Sequence, residues 1–181
     1  MKLMIASDIH GCKKCCEKML LAYEREKADQ LILLGDLLYH GPRNGVPEDY
    51  DPASVIDQLN SVRTDLLCIR GNCDSEVDQM VLEFPILSEF AVLYAFGRRF
   101  YLTHGHVYNE KCPPKVSKGD IVLSGHTHIP VYSIHDDVVF INPGSVSIPK
   151  GGSRRSYLTI EEKAFIWKEL SGEEYMRFAL R

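Results

Sequence analysis

The sequence predicts an α/β protein in which two sheets pack face to face with helices outside them, a two-sheet α/β sandwich. The first half of the 181-residue chain alternates apolar runs with helical patterns, which favours parallel strands joined by helical crossovers. The second half consists of short apolar runs separated by turn signals, which favours hairpins. Because no repeat or linker divides the chain, we expect one domain over residues 1–181.

The first half contains five predicted elements in the order strand, helix, strand, helix, strand. The predicted strands are short apolar runs, and the predicted helices repeat apolar residues every three or four positions. In chain order they are the strand KLMIAS, a helix from about Lys13 to Lys27, the strand QLILLG, a helix from about Ala53 to Val62, and the strand DLLCIRG.

The second half, from Glu89 onward, contains short strand-like runs. Phe96-Gly97 and Asp136-Asp137 stand between runs as turn signals. The last segment fits either a helix or two strands about Ser171-Gly172, and we favour strands. In chain order the runs are EFAVLYAF, RRFYLTHG, DIVLSGH, PVYSIHD, DVVFINPG, RSYLTIEE and AFIWKELSGEEYMRFAL.

Composition and charge exclude several classes of partner. A formal net charge of -4 and a pI of about 6.0 give no general attraction to nucleic acid or to an anionic membrane surface. No apolar run approaches the ~18 residues of a spanning helix, and the start of the chain lacks a signal-peptide pattern. We therefore expect a cytoplasmic protein with small-molecule partners.

The chain contains six cysteines, which we expect to be thiols because no secretory signal accompanies them. Cys12 and Cys15 have the C-x-x-C spacing of zinc and redox sites. Their helical spacing with Cys16 and Met19 favours a buried helix face instead. A cysteine-based zinc or redox module therefore stands as a minor alternative.

Five apolar runs end on side chains that can bind metal. Because the carboxyl ends of strands meet at the functional crevice of an open α/β sheet, we expect these groups to converge on one site. If the chain stays extended, Asp8 and His10 point the same way, and so do His126 and His128. Glycines before Asp36, Asn72 and His126 would let the backbone turn close to an ion. In chain order the groups are Asp8 with His10, Asp36, Asn72, His104 with His106, and His126 with His128.

The ordered motifs D-x-H, G-D, G-N-C-D, H-G-H and G-H-T-H resemble those of the calcineurin-like metallophosphoesterase superfamily. Within it, the chain resembles the YfcE-type bacterial phosphodiesterases in six segments, and this resemblance runs from Lys2 to about Gly152. It implies a four-layer α/β/β/α sandwich of two mixed sheets. The segments are SDIHG, LGDLLYHGPRN, RGNCDSEVDQM, LTHGH, GHTHIP and NPGSVSIPKGG.

The resemblance also implies two divalent metal ions and a small phosphodiester substrate. Asp36 would bridge the two ions, and a hydroxide shared between them would attack the phosphorus in line. Manganese is the expected metal by family likeness, although nitrogen and oxygen donors also suit iron, nickel or zinc. The other ligands would be Asp8, His10 and His128 for one ion, and Asn72, His104 and His126 for the other.

The residues expected to take part in catalysis are Asp36, Asn72, Cys73 and His104. Cys73 stands where the wider superfamily has a histidine that is thought to protonate the leaving oxygen, and a thiol is a weaker acid for this purpose. Cys73 as a small packing residue is an equal alternative. Substrate contacts are expected from Asn72, Cys73, Arg43 and Asn44, the last two within the irregular segment 39–52.

Several roles remain open at the level of sequence. Asp74 either orients a ligand such as His104 or caps the following helix. The segment NPGSVSIPKGG, with Lys150, is either an anion-binding loop or a tight connection. His106 is expected in an outer shell or at the substrate, and His40 and His135 at the surface. A non-catalytic scaffold, as in a retromer subunit with this fold, is the alternative function, and the resemblance is compatible with a homo-oligomer.

Overall fold

A computed structural model describes residues 1–180, which contain eleven strands and three α-helices. A short 3-10 turn, Arg63–Asp65, joins α2 to β3. The elements are β1 (Leu3–Ala6), α1 (Lys13–Glu26), β2 (Gln30–Leu33), α2 (Pro52–Ser61), β3 (Leu66–Cys68), α3 (Glu76–Gln79), β4 (Phe90–Ala95), β5 (Arg98–Thr103), β6 (Ile121–Leu123), β7 (Val131–His135), β8 (Val138–Asn142), β9 (Ser156–Glu161), β10 (Ala164–Glu169) and β11 (Glu174–Ala179).

Two mixed sheets form the body of the molecule, as predicted. The first has six strands in the order β11-β10-β9-β1-β2-β3, with β1, β2 and β3 parallel and β9 antiparallel to β1. The second has five strands in the order β4-β5-β6-β8-β7, with β5, β6 and β8 parallel. The parallel strands of each sheet therefore all end at one edge of that sheet.

Apolar side chains alternate between two cores because successive residues of a strand face opposite sides. Met4 and Leu31 pack with the buried faces of α1 and α2 on one side of the first sheet. Leu3 and Ile32 point the other way, into the core between the two sheets with Phe100. The predicted sandwich is confirmed, and α1 and α2 cover the outer face of the six-stranded sheet.

The two long helices lie within one residue of their predicted limits. α1 ends at Glu26, and its C-cap Lys27 adopts a left-handed conformation with a φ of 49°. α2 starts with Pro52 in its first turn, and the Asp51 side chain accepts a hydrogen bond from the Ser54 N–H. Such a proline and an aspartate cap are the usual signals of a helix start.

The hairpin turns and the terminal strands also match the prediction. Phe96-Gly97 and Asp136-Asp137 each have two positive φ angles, the geometry that joins antiparallel strands by a two-residue turn. β10 and β11 form a hairpin about Ser171-Gly172. The sequence did not indicate that β9, β10 and β11 return to the first sheet, because period-two patterns carry no information on which sheet a strand joins.

The expectation of thiols is wrong for Cys12 and Cys15, which form a disulfide. The helical spacing was read correctly, since Cys12, Cys15 and Cys16 are buried. Cys12 is the N-cap of α1, one turn before Cys15, and this places their Cα atoms 5.3 Å apart, within the usual range for a disulfide. No helix among residues 1–180 has the length and apolar character needed to cross a membrane.

Candidate metal centre

The predicted ligands lie together where strands of both sheets end. Asp8 and His10 follow β1, and Asp36 follows β2 in the first sheet. His104 follows β5, and His126 with His128 follows β6, in the second sheet. Three overlapping groups have their donor atoms within 4.8 Å of one another, namely Asp8 with His10 and His128, His10 with Asp36 and Cys73, and Asp36 with His104 and His126.

Asp36 lies between the imidazoles of His10 and His104. Its Oδ2 atom is 3.7 Å from His10 Nε2 on one side and 3.4 Å from His104 Nε2 on the other. Its Oδ1 atom accepts a hydrogen bond of 2.8 Å from the Cys73 N–H. One carboxylate oxygen is therefore within reach of both sides of the site while the other is held by the backbone.

The imidazole rings of His10 and His128 face each other through their Nε2 atoms. His10 Nδ1 is 2.8 Å from the Tyr39 carbonyl oxygen, and His128 Nδ1 is 2.5 Å from that of Ile148. Because a carbonyl oxygen only accepts hydrogen bonds, each Nδ1 carries a proton. In the neutral rings the two Nε2 lone pairs then point at each other across 3.2 Å.

His104 is held in the same way on the other side of the site. Its Nδ1 donates to the Leu34 carbonyl oxygen at 2.6 Å, so that Nε2 faces inward. That atom lies 3.1 Å from Asn72 Oδ1 and 3.3 Å from His126 Nδ1. The backbone carbonyls that orient these rings could not be identified from sequence, because every residue carries one.

This arrangement fits bound cations. Facing lone pairs and carboxylates repel each other in an apolar interior unless a proton or a metal ion lies between them. The buried Asp8 Oδ1 makes no hydrogen bond and lies 3.3 Å from His128 Nε2 and 3.6 Å from His10 Nε2. Imidazole nitrogens and carboxylate oxygens are the donors that first-row divalent metals bind.

The close approach of these side chains shifts their pKa values. Burial opposes the charged form of His104, but the neighbouring Asp36 carboxylate raises the pKa of His104 to about 9. Burial, followed by the charge on His104, lowers the pKa of His126 to about 4. Burial would raise the pKa of Asp8, but the adjacent imidazoles of His10 and His128 hold it far below its usual range.

The backbone at the ligands is not extended, which corrects one prediction. Asp8, His10, Asp36, His126 and His128 all have φ between 49° and 66°, in the left-handed region. These five make up half of the ten non-glycine residues with positive φ among residues 1–180. Each such conformation costs on the order of 1 kcal/mol or more and often marks a functional site. Asp8 and His10 therefore converge through left-handed backbone conformations, and so do His126 and His128, rather than by the alternation of side chains along an extended strand.

Glycines give the backbone room at the site, as predicted. A Cβ atom at Gly71 would lie 2.1 Å from Asp36 Oδ1, and one at Gly125 would lie 2.0 Å from Ser7 Oγ. Neither contact is tolerable, so any side chain at these positions would displace the turns that carry Asp36 and His126. The Gly-Asn and Gly-His pairs of the sequence thus reflect close approach of two chain segments.

Asp74 is buried and holds the turn that carries Asp36. Its Oδ2 accepts hydrogen bonds from the N–H groups of Asp36 at 2.8 Å and Gly71 at 2.7 Å, and its Oδ1 accepts one from Leu37 at 2.8 Å. The helix cap is Ser75, whose side chain bonds to Asp78. Of the two roles considered for Asp74, the cap is wrong, and the predicted ligand whose turn it holds is Asp36.

The segment after β8 holds the turn that carries Asp8. The hydroxyls of Ser145 and Ser147 both donate to the Asp8 carbonyl oxygen, at 2.9 and 2.8 Å. Sequence reasoning overlooked these two serines. Their spacing around one valine, directly after a buried strand, is the signal that could have identified them. The segment therefore supports the turn of the predicted ligand Asp8. Lys150 near its end lines the cavity over the site, and anion binding by the segment stays a prediction.

That cavity has a volume of about 460 Å³ and includes the predicted substrate contacts. Arg43 is exposed at its rim, whereas the Asn44 side chain donates to the His40 carbonyl oxygen at 2.8 Å within its own loop. Cys73 is half-buried, and its Sγ accepts a hydrogen bond of 3.2 Å from Asn72 Nδ2. Burial, followed by the Asp36 charge, raises the pKa of the Cys73 thiol well above its usual value.

The three remaining histidines lie outside the metal-ligand groups. The His106 ring is 5.4 Å from that of His104, at the edge of the site. His40 is half-buried, and its ring contacts its own loop at Gly41. His135 is exposed and pairs with Glu110. The prediction of a surface position therefore holds for His135, and His40 lies partly at the surface.

Comparison with known proteins places this geometry among phosphoesterases. Residues 1–164 match the family model described as the calcineurin-like phosphoesterase superfamily domain. The chain is 47% identical to phosphodiesterase YfcE of Escherichia coli strain K12 over 157 residues, which cover 87% of this chain and 85% of that protein.

Solved structures give the same result for the fold. A structure of the E. coli phosphoesterase YfcE superposes with a TM-score of 0.96 at 42% identity, covering 100% of both chains. The Vps29 protein of Chaetomium thermophilum superposes with a TM-score of 0.63 at 16% identity, covering 99% of this chain and 98% of that one. The second likeness concerns the fold alone.

Proposed function

The chain belongs to the calcineurin-like phosphoesterase superfamily, and from this premise we propose that it hydrolyses phosphodiesters at a centre of two divalent metal ions. It is a metal-dependent hydrolase of the YfcE type, to which its 47% identity and its fold both relate it. We propose that residues 1–181 form this one catalytic domain. The observation that carries the proposal is the position of Asp36 between two groups of inward-facing donors.

We assign the ligands as the geometry suggests. Asp8, His10 and His128 would hold one ion, because their donor atoms form one group. His104 and His126 would hold the second with Asn72, whose Oδ1 lies beside His104 Nε2. Asp36 would help to hold both ions, since its Oδ2 atom lies 3.7 Å from His10 Nε2 and 3.4 Å from His104 Nε2, and its other oxygen is bonded to the Cys73 N–H.

Two bound divalent ions would supply a hydroxide at neutral pH for in-line attack and would neutralise charge on the phosphate oxygens. The protein residues contribute position. Carbonyl oxygens fix the protons of His10, His104 and His128 on Nδ1 and keep Nε2 available to the ions. Manganese is the metal we propose from family likeness, and the same nitrogen and oxygen donors would accept iron, nickel or zinc.

The substrate would enter through the cavity of about 460 Å³. Arg43 lies at its rim without an ion-pair partner among the described residues, so its guanidinium is available to a phosphate or to a neighbouring anionic group. Asn72 and Cys73 also line it, as does Asp36. Asn44 would act mainly by holding the loop, since its amide is bonded to His40.

The proposal is tested by stripping the protein of metal and restoring it with manganese, iron, nickel or zinc in turn. Paired aryl phosphodiesters and phosphomonoesters serve as substrates. We expect hydrolysis only after metal is restored, and a higher kcat/KM for the diester. Asp36→Asn should lower kcat by at least about 100-fold, the scale seen when one charge-stabilising group is lost.

Asp57→Asn is the matched control, because Asp57 is an exposed carboxylate on α2. It should leave turnover unchanged. Full activity of Asp36→Asn, or of the metal-stripped wild-type protein, would refute the proposal.

A non-catalytic protein-interaction scaffold on the same fold, as in a retromer subunit, is the alternative function. The convergence of all seven proposed ligands favours catalysis, because a protein used only for contacts has no need of buried, inward-facing imidazoles. The alternative gains support only if the metal-loaded protein hydrolyses neither ester. A homo-oligomer and a cytoplasmic location remain predictions.

A further inference from the structure

A second cavity, of about 680 Å³, lies over the start of α1, outside the metal centre. The disulfide of Cys12 and Cys15 lines it, and both residues are only 2% exposed. Cations outnumber acids around it, and Lys18 and Arg155 form no ion pair among residues 1–180. The charged lining residues are Lys14, Lys18, Arg154, Arg155, Glu48, Asp49 and Glu169.

The same turn of chain connects this disulfide to the metal centre. Cys12 lies two residues after His10, and the intervening Gly11 is bonded on both sides. Its N–H donates to the Leu37 carbonyl oxygen at 2.9 Å, and its own carbonyl oxygen accepts from the Asp51 N–H at 2.8 Å. A change at Cys12 therefore acts on the segment that carries His10.

The loop of residues 39–52 is fixed against this turn at both of its ends. Near its start, the Tyr39 carbonyl oxygen bonds to His10 Nδ1. Near its end, Asp49 accepts from the Lys13 N–H at 3.0 Å, and Cys12 pairs with Tyr50 in an isolated β-bridge. Arg43, at the rim of the substrate cavity, lies in the middle of this 39–52 loop.

The Cys12 sulfur makes a contact that depends on its oxidation state. Sγ lies 3.4 Å from the Glu48 carbonyl oxygen and accepts a bond of 3.3 Å from the Cys15 N–H. In the disulfide, Sγ carries no proton and has nothing to donate to that oxygen. In the dithiol, the S–H group can donate to it and adds one hydrogen bond between α1 and the 39–52 loop.

We propose that Cys12 and Cys15 are a reversible dithiol–disulfide site whose state sets how firmly the 39–52 loop is held against the turn of His10. The exchange partner is a low-molecular-weight disulfide with carboxylate groups, of the glutathione class, which suits the cation-rich cavity. This inference goes beyond the proposed function and does not depend on it.

The reaction is a two-electron exchange. One thiolate attacks the reagent disulfide and forms a mixed disulfide, with release of one reagent thiol. The second protein thiolate then displaces the other reagent thiol. In total the two protein thiols are oxidised to one disulfide, and one reagent disulfide is reduced to two thiols, which take up the two protons.

The first test maps the thiols of the metal-loaded protein after equilibration with glutathione and glutathione disulfide in varied ratios. The mixture is quenched by alkylation, and peptides are identified by mass without reduction. We expect a peptide pair linked through Cys12 and Cys15 that appears and disappears reversibly with the ratio.

Cys112→Ser, which removes an exposed thiol, should leave this titration unchanged. Cys15→Ser should abolish the linked pair. If the wild-type protein forms no such link at any ratio, or forms it irreversibly, the proposal is wrong, whatever the variants do.

The second test follows hydrogen exchange of the Lys13 and Asp51 amides, which are the donors that join the turn to the loop. In the oxidised protein these amides should exchange about two- to fivefold faster than in the dithiol, the scale of one weak hydrogen bond. Amides inside α2 serve as an internal control. Equal exchange in the two states would refute the coupling. Neither test uses turnover, so failure here is distinct from failure of the proposed activity.

Discussion

Cys73 lies beside the proposed ligands but carries sulfur, whereas those ligands carry nitrogen or oxygen donors. Its backbone N–H holds Asp36, and its sulfur faces the cavity of the site. In the metal-free protein, burial and then the Asp36 charge raise the pKa of this thiol. A proton held so tightly is poorly suited to transfer to a departing oxygen.

We therefore predict that the wild-type enzyme hydrolyses diesters with acidic leaving groups far better than those with alkoxide leaving groups. A plot of log kcat against the leaving-group pKa should be steep. Cys73→His should flatten this slope, because an imidazolium protonates the leaving oxygen more readily. Cys73→Ser is the matched control and should keep the steep slope. Equal slopes for the wild-type and histidine proteins would contradict the assignment.

Among individual residues, the sequence predicted which side chains come together but not how they are held. Motif order and strand ends were sufficient to identify Asp8, Asp36 and His128. These residues are held by backbone carbonyls, by the Asp74 carboxylate and by serine hydroxyls. The partners lie up to 139 positions apart along the chain, as for the Ser147 bond to Asp8. Such contacts leave no local pattern.

At the level of elements, the C-cap of α1 is a lysine in a backbone conformation that is unfavourable for a residue with a side chain. Lys27 adopts a φ of 49° at the C-cap, a region that glycine enters without steric cost. Its N–H bonds to the Glu24 carbonyl oxygen, so the conformation is fixed by the helix end.

Lys27→Gly should therefore raise the free energy of unfolding by about 0.5–1 kcal/mol, because it relieves the left-handed strain. Urea denaturation of the metal-free protein measures this change. Lys18→Gly, at an exposed position inside the same helix, should lower stability by about 1 kcal/mol. A loss of stability in both variants would refute the assignment of strain at Lys27.

The elements themselves were largely predictable, because helix caps and hairpin turns are local signals. Asp136-Asp137 marked the turn between β7 and β8, and α2, predicted from about Ala53, starts one residue earlier at Pro52. The return of β9 to pair with β1 was not predictable, since their registered residues, such as Leu3 and Ile160, are far apart in sequence.

At the scale of the whole molecule, Glu26 connects the end of α1 to three strands or strand ends. Its carboxylate pairs with Lys2 and Lys168 and accepts a bond of 2.8 Å from the Tyr157 hydroxyl. The side chain is only 6% exposed. Burial opposes its charge, but the two lysines lower the pKa of Glu26 from 4.5 to about 2.

A depressed carboxyl pKa stabilises the fold above the unfolded-state value and loses this effect as pH falls toward the folded-state value. Glu26→Gln should therefore lower the free energy of unfolding at neutral pH by about 2 kcal/mol, and this difference should shrink between about pH 5 and pH 2. Urea denaturation across this pH range measures it.

Glu24→Gln, at an exposed position on the same helix, should have little effect at any pH. A difference between wild-type and Glu26→Gln that stays constant with pH would contradict the electrostatic origin. Both comparisons use metal-free protein, so that protonation of the metal centre affects each pair equally.

The proposed ligands come from both halves of the sandwich. Asp8, His10, Asp36 and Asn72 follow strands of the six-stranded sheet, whereas His104, His126 and His128 follow strands of the five-stranded one. Ions bound there would link the two sheets. At a metal concentration a hundredfold above the dissociation constant, binding would add about 2.7 kcal/mol to the free energy of unfolding. Metal starvation would then shorten the survival of the folded protein as well as stop its turnover.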